Sequence, residues 1–183
     1  MSWTIPGTVL QIPRQDASNL KAQFTPMFLA GGLTLGQVTQ ITGLEPYTVQ
    51  NWVKRGFLSS PERKHYSLEQ LCRIININML KNALPMERIV GLLSYINGDL
   101  DDESDDIIDD AVLYFMFVRL AAQAAAMNTP RGRDECIAKE LADYREPVPG
   151  AKERVAKVLT IMLTAWASAQ LRLAAEQMLQ ELN

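Results

Sequence analysis

The most constraining stretch of this chain is residues 33–56, LTLGQVTQITGLEPYTVQNWVKRG. Thr34 can cap a helix that runs to about Ile41, with Leu35, Val38 and Ile41 on one face. Gly43 then supplies a C-terminal stop. Glu45-Pro46 opens a second helix, where the missing proline N–H costs nothing in the first turn. That helix should reach Arg55 and end at Gly56, burying Val49, Trp52 and Val53. Two short helices joined by a tight glycine-containing turn make a helix-turn-helix unit. The expectation for the chain is therefore all-α, organised around this unit.

The following segment, FLSSPERKHY, joins a short apolar piece to a Ser-Ser-Pro turn and a basic stretch. It reads as a small hairpin or wing, with its basic tip at residues 62–66. Ser67 caps the next helix, and Gln70 stands at the reaching-back position of a capping box. Leu68, Leu71, Cys72, Ile75 and Met79 carry that helix to about Asn82. Another helix follows from Pro85 to Asn97, with Ile89, Leu92, Leu93 and Ile96 inward. Helices are also expected over about 105–127, 133–144 and 151–182. The last is ~30 residues and ~45 Å long. Its Val155, Leu159, Met162, Trp166, Ala169 and Leu173 step by four and three, as in a coiled-coil seam. It either packs in a bundle with the 105–127 helix or pairs across a dimer. Four regions result: an N-terminal arm with a short helix (1–32), the helix-turn-helix domain (33–98), an acidic linker or helix start (99–111), and a C-terminal helical region (112–183) for dimerisation or ligand binding.

At 183 residues, with 48% hydrophobic and 21% charged, the chain can bury about 70% of its unfolded surface and needs no staple. The N-terminus lacks a signal-peptide pattern, and no unbroken apolar run reaches the ~18 residues of a membrane span. Two cysteines without CxxC spacing, Cys72 and Cys136, fit a reducing cytoplasm. Neither a membrane role nor a cofactor is expected. The net charge of −3 conceals an asymmetry. Residues 33–98 hold seven Lys or Arg against four Glu. Residues 99–111 hold eight acidic residues and no cation. A basic segment followed by an acidic one directs attention to a local nucleic-acid surface.

The run LTLGQVTQITGLEPYTVQNWVKRGFLSSPERKHYSLEQLCRI resembles the winged helix-turn-helix domain of MerR-type transcription regulators. Gly56-Phe57-Leu58 stands where that family has Gly-Leu-hydrophobic. Leu84-Pro85-Met86-Glu87-Arg88-Ile89 resembles its turn into a further helix pair. The runs QNWVKRG, RIININMLKN and LLSYINGDLDD are similar to an uncharacterised bacterial domain family described as MerR-like. The resemblance implies a MerR-like winged domain joined to a helical bundle, acting as a DNA-binding transcription regulator. The arginine that MerR recognition helices carry near their start has no counterpart in Thr48-Val49-Gln50-Asn51-Trp52.

The residues give the same surface its chemistry. Gln50 and Asn51 lie opposite Val49 and Val53, with Thr48 beside them, and each amide can bond adenine bidentately in the major groove. Lys54 and Arg55 can reach phosphates. Arg63, Lys64 and His65 offer donors at the wing tip, and Tyr66 either completes that surface or anchors the wing. Trp52 fits the core. His65, the single histidine, has no acidic or cysteine neighbours at ligand spacing, so no metal is expected. DLDDESDDIIDD lacks the sixth-position glycine and twelfth-position Glu of an EF-hand. No catalytic motif occurs. The expected partners are duplex DNA, a second copy of the chain, and a small-molecule effector whose pocket, if formed, would involve Phe115, Met116, Met162 and Trp166; otherwise these four are core. A protein–protein adaptor built on the same scaffold is the rival reading.

Overall fold

The computed structural model describes residues 2–98, 100, 103–123 and 129–182. Among them the protein is mainly helical, with eight α-helices and two small two-stranded sheets. The N-terminal segment, expected as an arm, is part of the core. β1 (Ser2–Thr4) pairs antiparallel with β2 (Gln11–Pro13). A 3-10 turn (Arg14–Asn19) leads into α1 (Leu20–Phe24). Ile5, Leu20 and Phe24 are buried. The Tyr114 hydroxyl donates to the Pro6 carbonyl at 2.9 Å, and the Asn78 amide donates to Gly7 and Thr42 carbonyls at 2.9 and 3.0 Å. Strands of three residues are too short to show alternation, which is why the segment reads as irregular.

β3 (Leu33–Thr34) runs directly into α2 (Leu35–Thr42). Thr34 and Gln37 form a reciprocal capping box, satisfying two donors that a bare helix start would orphan. Gly43 sits at φ 69° and closes the helix through its N–H to Thr39. A Cβ there would come within 2.6 Å of Val9, so glycine is required by both the left-handed turn and the N-terminal segment crossing it. α3 (Pro46–Lys54) follows, burying Val49 and Trp52.

The wing differs from a hairpin over 57–66. β4 (His65–Tyr66) pairs not with the preceding apolar piece but with β3, Leu33 opposite Tyr66 and Thr34 opposite His65. Locally only Glu62 and His65 bridge. Pairing across the two intervening helices and their loops leaves no local signal to read.

α4 (Leu68–Leu80) is capped by the Ser67–Gln70 box. Leu71 through Ile77 are all buried, so this is a central helix covered nearly all round, with Arg73 and Asn76 as its buried polar members. α5 (Met86–Asn97) packs beside it. α6 is Asp110–Ala121 rather than 105–127. Asp109 accepts from the N–H groups of Ala111 and Val112 at 2.6 and 2.9 Å, and this cap sets the start five residues later. The far end expected for that helix, at Met127, lies outside the described residues, as do Asp99, Asp101 and Asp102 of the acidic run. In the rest of the run Glu103–Asp105 form a 3-10 turn, Ile107 and Ile108 are buried, and only Asp109 and Asp110 serve as a helix start, capping and opening α6. α7 (Pro130–Glu140) starts at its proline, capped by Thr129.

α8 (Ala151–Gln180) buries Val155, Val158, Leu159, Met162 and Leu163 in its first half. Phe115, Met116 and Met162, considered above for an effector pocket, are packed core, with Trp166 edge-on to Phe117 at 6.0 Å. By length and composition α8 also qualifies as a helix able to cross a membrane. Its most apolar window has a mean hydropathy of 1.3 and is 33% buried, which a count of unbroken apolar residues does not register.

Candidate nucleic-acid interface

α3 turns Val49 and Trp52 into the core, and the opposite face is left to solvent. Gln50 and Lys54 are exposed on it, while Thr48 and Asn51 are half-buried. Tyr47 joins them at 74% exposed. Positions 47, 50, 51 and 54 are spaced i, i+3, i+4 and i+7, so they form one stripe. The stripe holds a phenol, two amides and an ammonium, all able to hydrogen-bond. Tyr47 escaped the sequence reading. Its place one helical turn before Gln50 and Asn51, away from Val49, was the signal that could have found it.

Arg55 is less free than its position in the sequence suggests. Its guanidinium lies 3.5 Å from the Glu87 carboxylate and 4.4 Å from the centre of the Phe57 ring. The side chain remains 48% exposed, so the pair contributes little and can exchange partners. It ties the end of α3 to the first turn of α5.

The wing tip is a two-residue turn. The His65 N–H donates to the Glu62 carbonyl at 2.8 Å, and Arg63 and Lys64 take φ of 48° and 66°. Two consecutive left-handed residues define a type I′ turn, normally filled by Asn-Gly. Two β-carbon-bearing cations there cost about 1 kcal/mol each. The surroundings hold them in place. Tyr66 is 3% exposed and pairs with Leu33. The His65 ring places Nδ1 3.0 Å from the Arg63 carbonyl. From α4, the Gln70 amide donates to Ser59 Oγ and the Ser60 carbonyl at 3.0 and 3.1 Å. Arg73 Nε donates to the Phe57 carbonyl at 3.0 Å.

Tyr66 is thus a core residue, and burial raises its phenol above the ordinary 10.0. Of the two roles considered for it, the structure gives the anchor and takes it off the contact surface. Arg63 and Lys64 are exposed, and His65 is half-buried beside them.

Behind the wing, Arg73 Nη1 meets Asp110 Oδ2 at 3.0 Å. Both side chains are below a tenth exposed. Burial raises the Asp110 carboxyl above its ordinary 3.8, outweighing the attraction of Arg73 and the hydrogen bonds from Arg73 and Asn76. Cys72, next to this pair, is fully buried, and its thiol is pushed well above the usual value by burial first and by nearby carboxylates second. It behaves as a small apolar residue rather than a nucleophile. Among the described residues, no group of three or more His, Cys, Asp or Glu could hold a metal ion.

Residues 31–117 match the model of a family described as a domain of unknown function (DUF1836). An uncharacterized protein of Bacillus subtilis (strain 168), YkrK, is 33% identical over 84 residues, covering 44% of this chain and 36% of that protein. The match thus spans little more than a third of the relative. No solved structure matches. These findings correct the resemblance to MerR-type regulators, since the helix-turn-helix region matches a family of unknown function and a relative without an assigned role. The features that suggested MerR, a capped helix, a left-handed glycine and a proline-started second helix, answer local demands that any such helix pair must meet.

Proposed function

We propose that this protein binds duplex DNA as a transcription regulator, in a winged helix-turn-helix arrangement with α3 as the recognition helix. The observation that carries this reading is the Tyr47, Gln50, Asn51 and Lys54 stripe on a short exposed helix, accompanied by a wing whose tip presents Arg63 and Lys64. A helix of this width enters the major groove, where Gln50 and Asn51 read base edges. Lys54, Arg63 and Lys64 contact phosphates, and His65 supports the wing tip. Thr48 sits at the edge of the stripe. Arg55 exchanges Glu87 for a phosphate.

The protein works as a homodimer in the cytoplasm. One small module offers few base contacts, and two half-sites call for two-fold symmetry. The outer half of α8 supports this reading, with Leu171 and Met178 at 74% and 66% exposed and Leu182, just past its end, at 80%.

The test is selection of bound duplexes from a random pool, followed by fluorescence anisotropy on the winner. Asn51→Ala and Gln50→Ala are expected to relax preference at particular base pairs by about 1–3 kcal/mol each. Failure to enrich any sequence, with no binding at low salt, removes this reading and leaves the adaptor.

A further inference from the structure

α8 carries two stripes on opposite sides. One turns Val155, Leu159, Met162 and Ala169 into the core. The other faces away from it. Thr164, Ser168, Leu171, Ala175 and Met178, continued by Leu182 just past the helix end, are all exposed. They step by four and three, the period of a coiled-coil seam, and none of them is charged. The seam's two hydroxyls are already satisfied within the chain. Ser168 donates to the Ala165 carbonyl at 2.9 Å and Thr164 to the Thr160 carbonyl at 2.7 Å. Thr164 also accepts from Arg133 at 3.0 Å. Covering this seam therefore orphans no polar group.

The sizes along the seam decide what covers it. Thr164, Ser168 and Ala175 are small, and Leu171, Met178 and Leu182 are large. Two copies can be laid antiparallel with the two-fold axis level with Leu173. Every layer then joins a small residue to a large one: Thr164 to Leu182, Ser168 to Met178, Ala175 to Leu171. Such alternation lets facing side chains interdigitate at native density. Laid parallel and in register, each residue faces its own copy, and Ser168 and Ala175 leave gaps. The antiparallel arrangement also sets the two exposed Arg172–Glu176 pairs side by side at the axis, a balanced set of four charges. It opposes the two helix dipoles as well.

We propose that two copies of this chain pair through the outer half of α8 as an antiparallel coiled coil, Ser168 of one against Met178 of the other. The inference rests on the dimer of the reading above and adds its orientation and register. It does not depend on DNA.

The test is disulfide formation in the full chain without DNA, in a Cys136→Ser background that leaves only the buried Cys72. Ser168→Cys and Met178→Cys are introduced into separate chains. In the antiparallel pair each of these positions lies about 15 Å from its own copy, beyond the reach of a disulfide. Neither chain alone is expected to cross-link, and an equimolar mixture is. Sedimentation reads the dimer affinity alongside. Ala175→Leu overfills its layer and Leu171→Ala empties it, each weakening the dimer roughly tenfold. Combined, they exchange large for small and restore affinity to within about threefold. All these positions but Cys136 are exposed seam residues, so the fold is expected to survive every change. Cross-linking of each chain with itself marks a parallel pair and overturns the proposal. So does a dimer whose mixture does not cross-link, or an Ala175→Leu dimer as tight as the native one. A monomer that floats with phosphatidylcholine vesicles overturns it together with the dimer it rests on. Failure to bind DNA leaves the cross-linking pattern untouched, so the two readings fail separately.

Discussion

Asp110 shows how a single buried charge organises its surroundings. It caps no one; Asp109 does that, leaving Asp110 to meet Arg73 inside the protein. Replacing Arg73 by Leu strands this carboxylate, with an expected loss of about 3–5 kcal/mol in urea unfolding. The pH dependence follows from the raised carboxyl. Well below 3.8 the group is neutral whether folded or unfolded. As pH rises above that value the unfolded chain ionises first, so folding stability falls until the folded carboxyl has ionised too. Against Asp110→Asn, which never ionises, the native protein therefore gains relative stability on acidification. Denaturation of both across that range measures it, and a difference independent of pH would contradict the burial argument. Lys64 gives a second prediction. Lys64→Gly removes a left-handed side chain, and thermal melts should show a gain of about 1 kcal/mol, while DNA binding weakens. Stability and binding moving together would count against the wing reading.

Among the elements, α2, α3, α4 and α5 were legible because each announces its ends: Thr34, Gly43, Pro46, Ser67, Pro85 and Asn97 all stand within a residue of an observed boundary. Such signals are local, residing in the backbone groups of a single turn. What stayed hidden is non-local. β4 finds its partner in β3, on the far side of two helices. Arg55 finds Glu87, and Asn78 finds Gly7, contacts no periodicity encodes. The start of α6 is not legible because acidic residues favour a helix N-terminus at any of several positions; here Asp109 caps, behind the buried Ile107 and Ile108. The link between α4 and the wing is testable. Ser67→Ala should cost about 1 kcal/mol as a lost cap. Gln70→Ala should cost more in the same melts, because it also releases Ser59 and Ser60.

For the molecule as a whole, the buried side chains from Ile5 to Ala165 form one continuous cluster. The α3 stripe and the Arg63–Lys64 turn are thereby mounted on one continuous core, the firm support that the proposed base contacts call for. α8 outgrows that body. Its first half is core, and its second half carries Leu171 and Met178 at i and i+7, with Leu182 just past its end, all exposed. Sedimentation should find a dimer that Leu171→Asp with Leu182→Asp converts to a monomer with an undiminished melting temperature. The central claim, that the α3 face and the wing grip duplex DNA, is tested most directly by the salt dependence of binding. The native protein should show log K falling linearly with log salt. Removing Lys54, Arg63 or Lys64 one at a time should reduce that slope by about one each. No binding at low salt, or a slope indifferent to all three substitutions, would contradict the account.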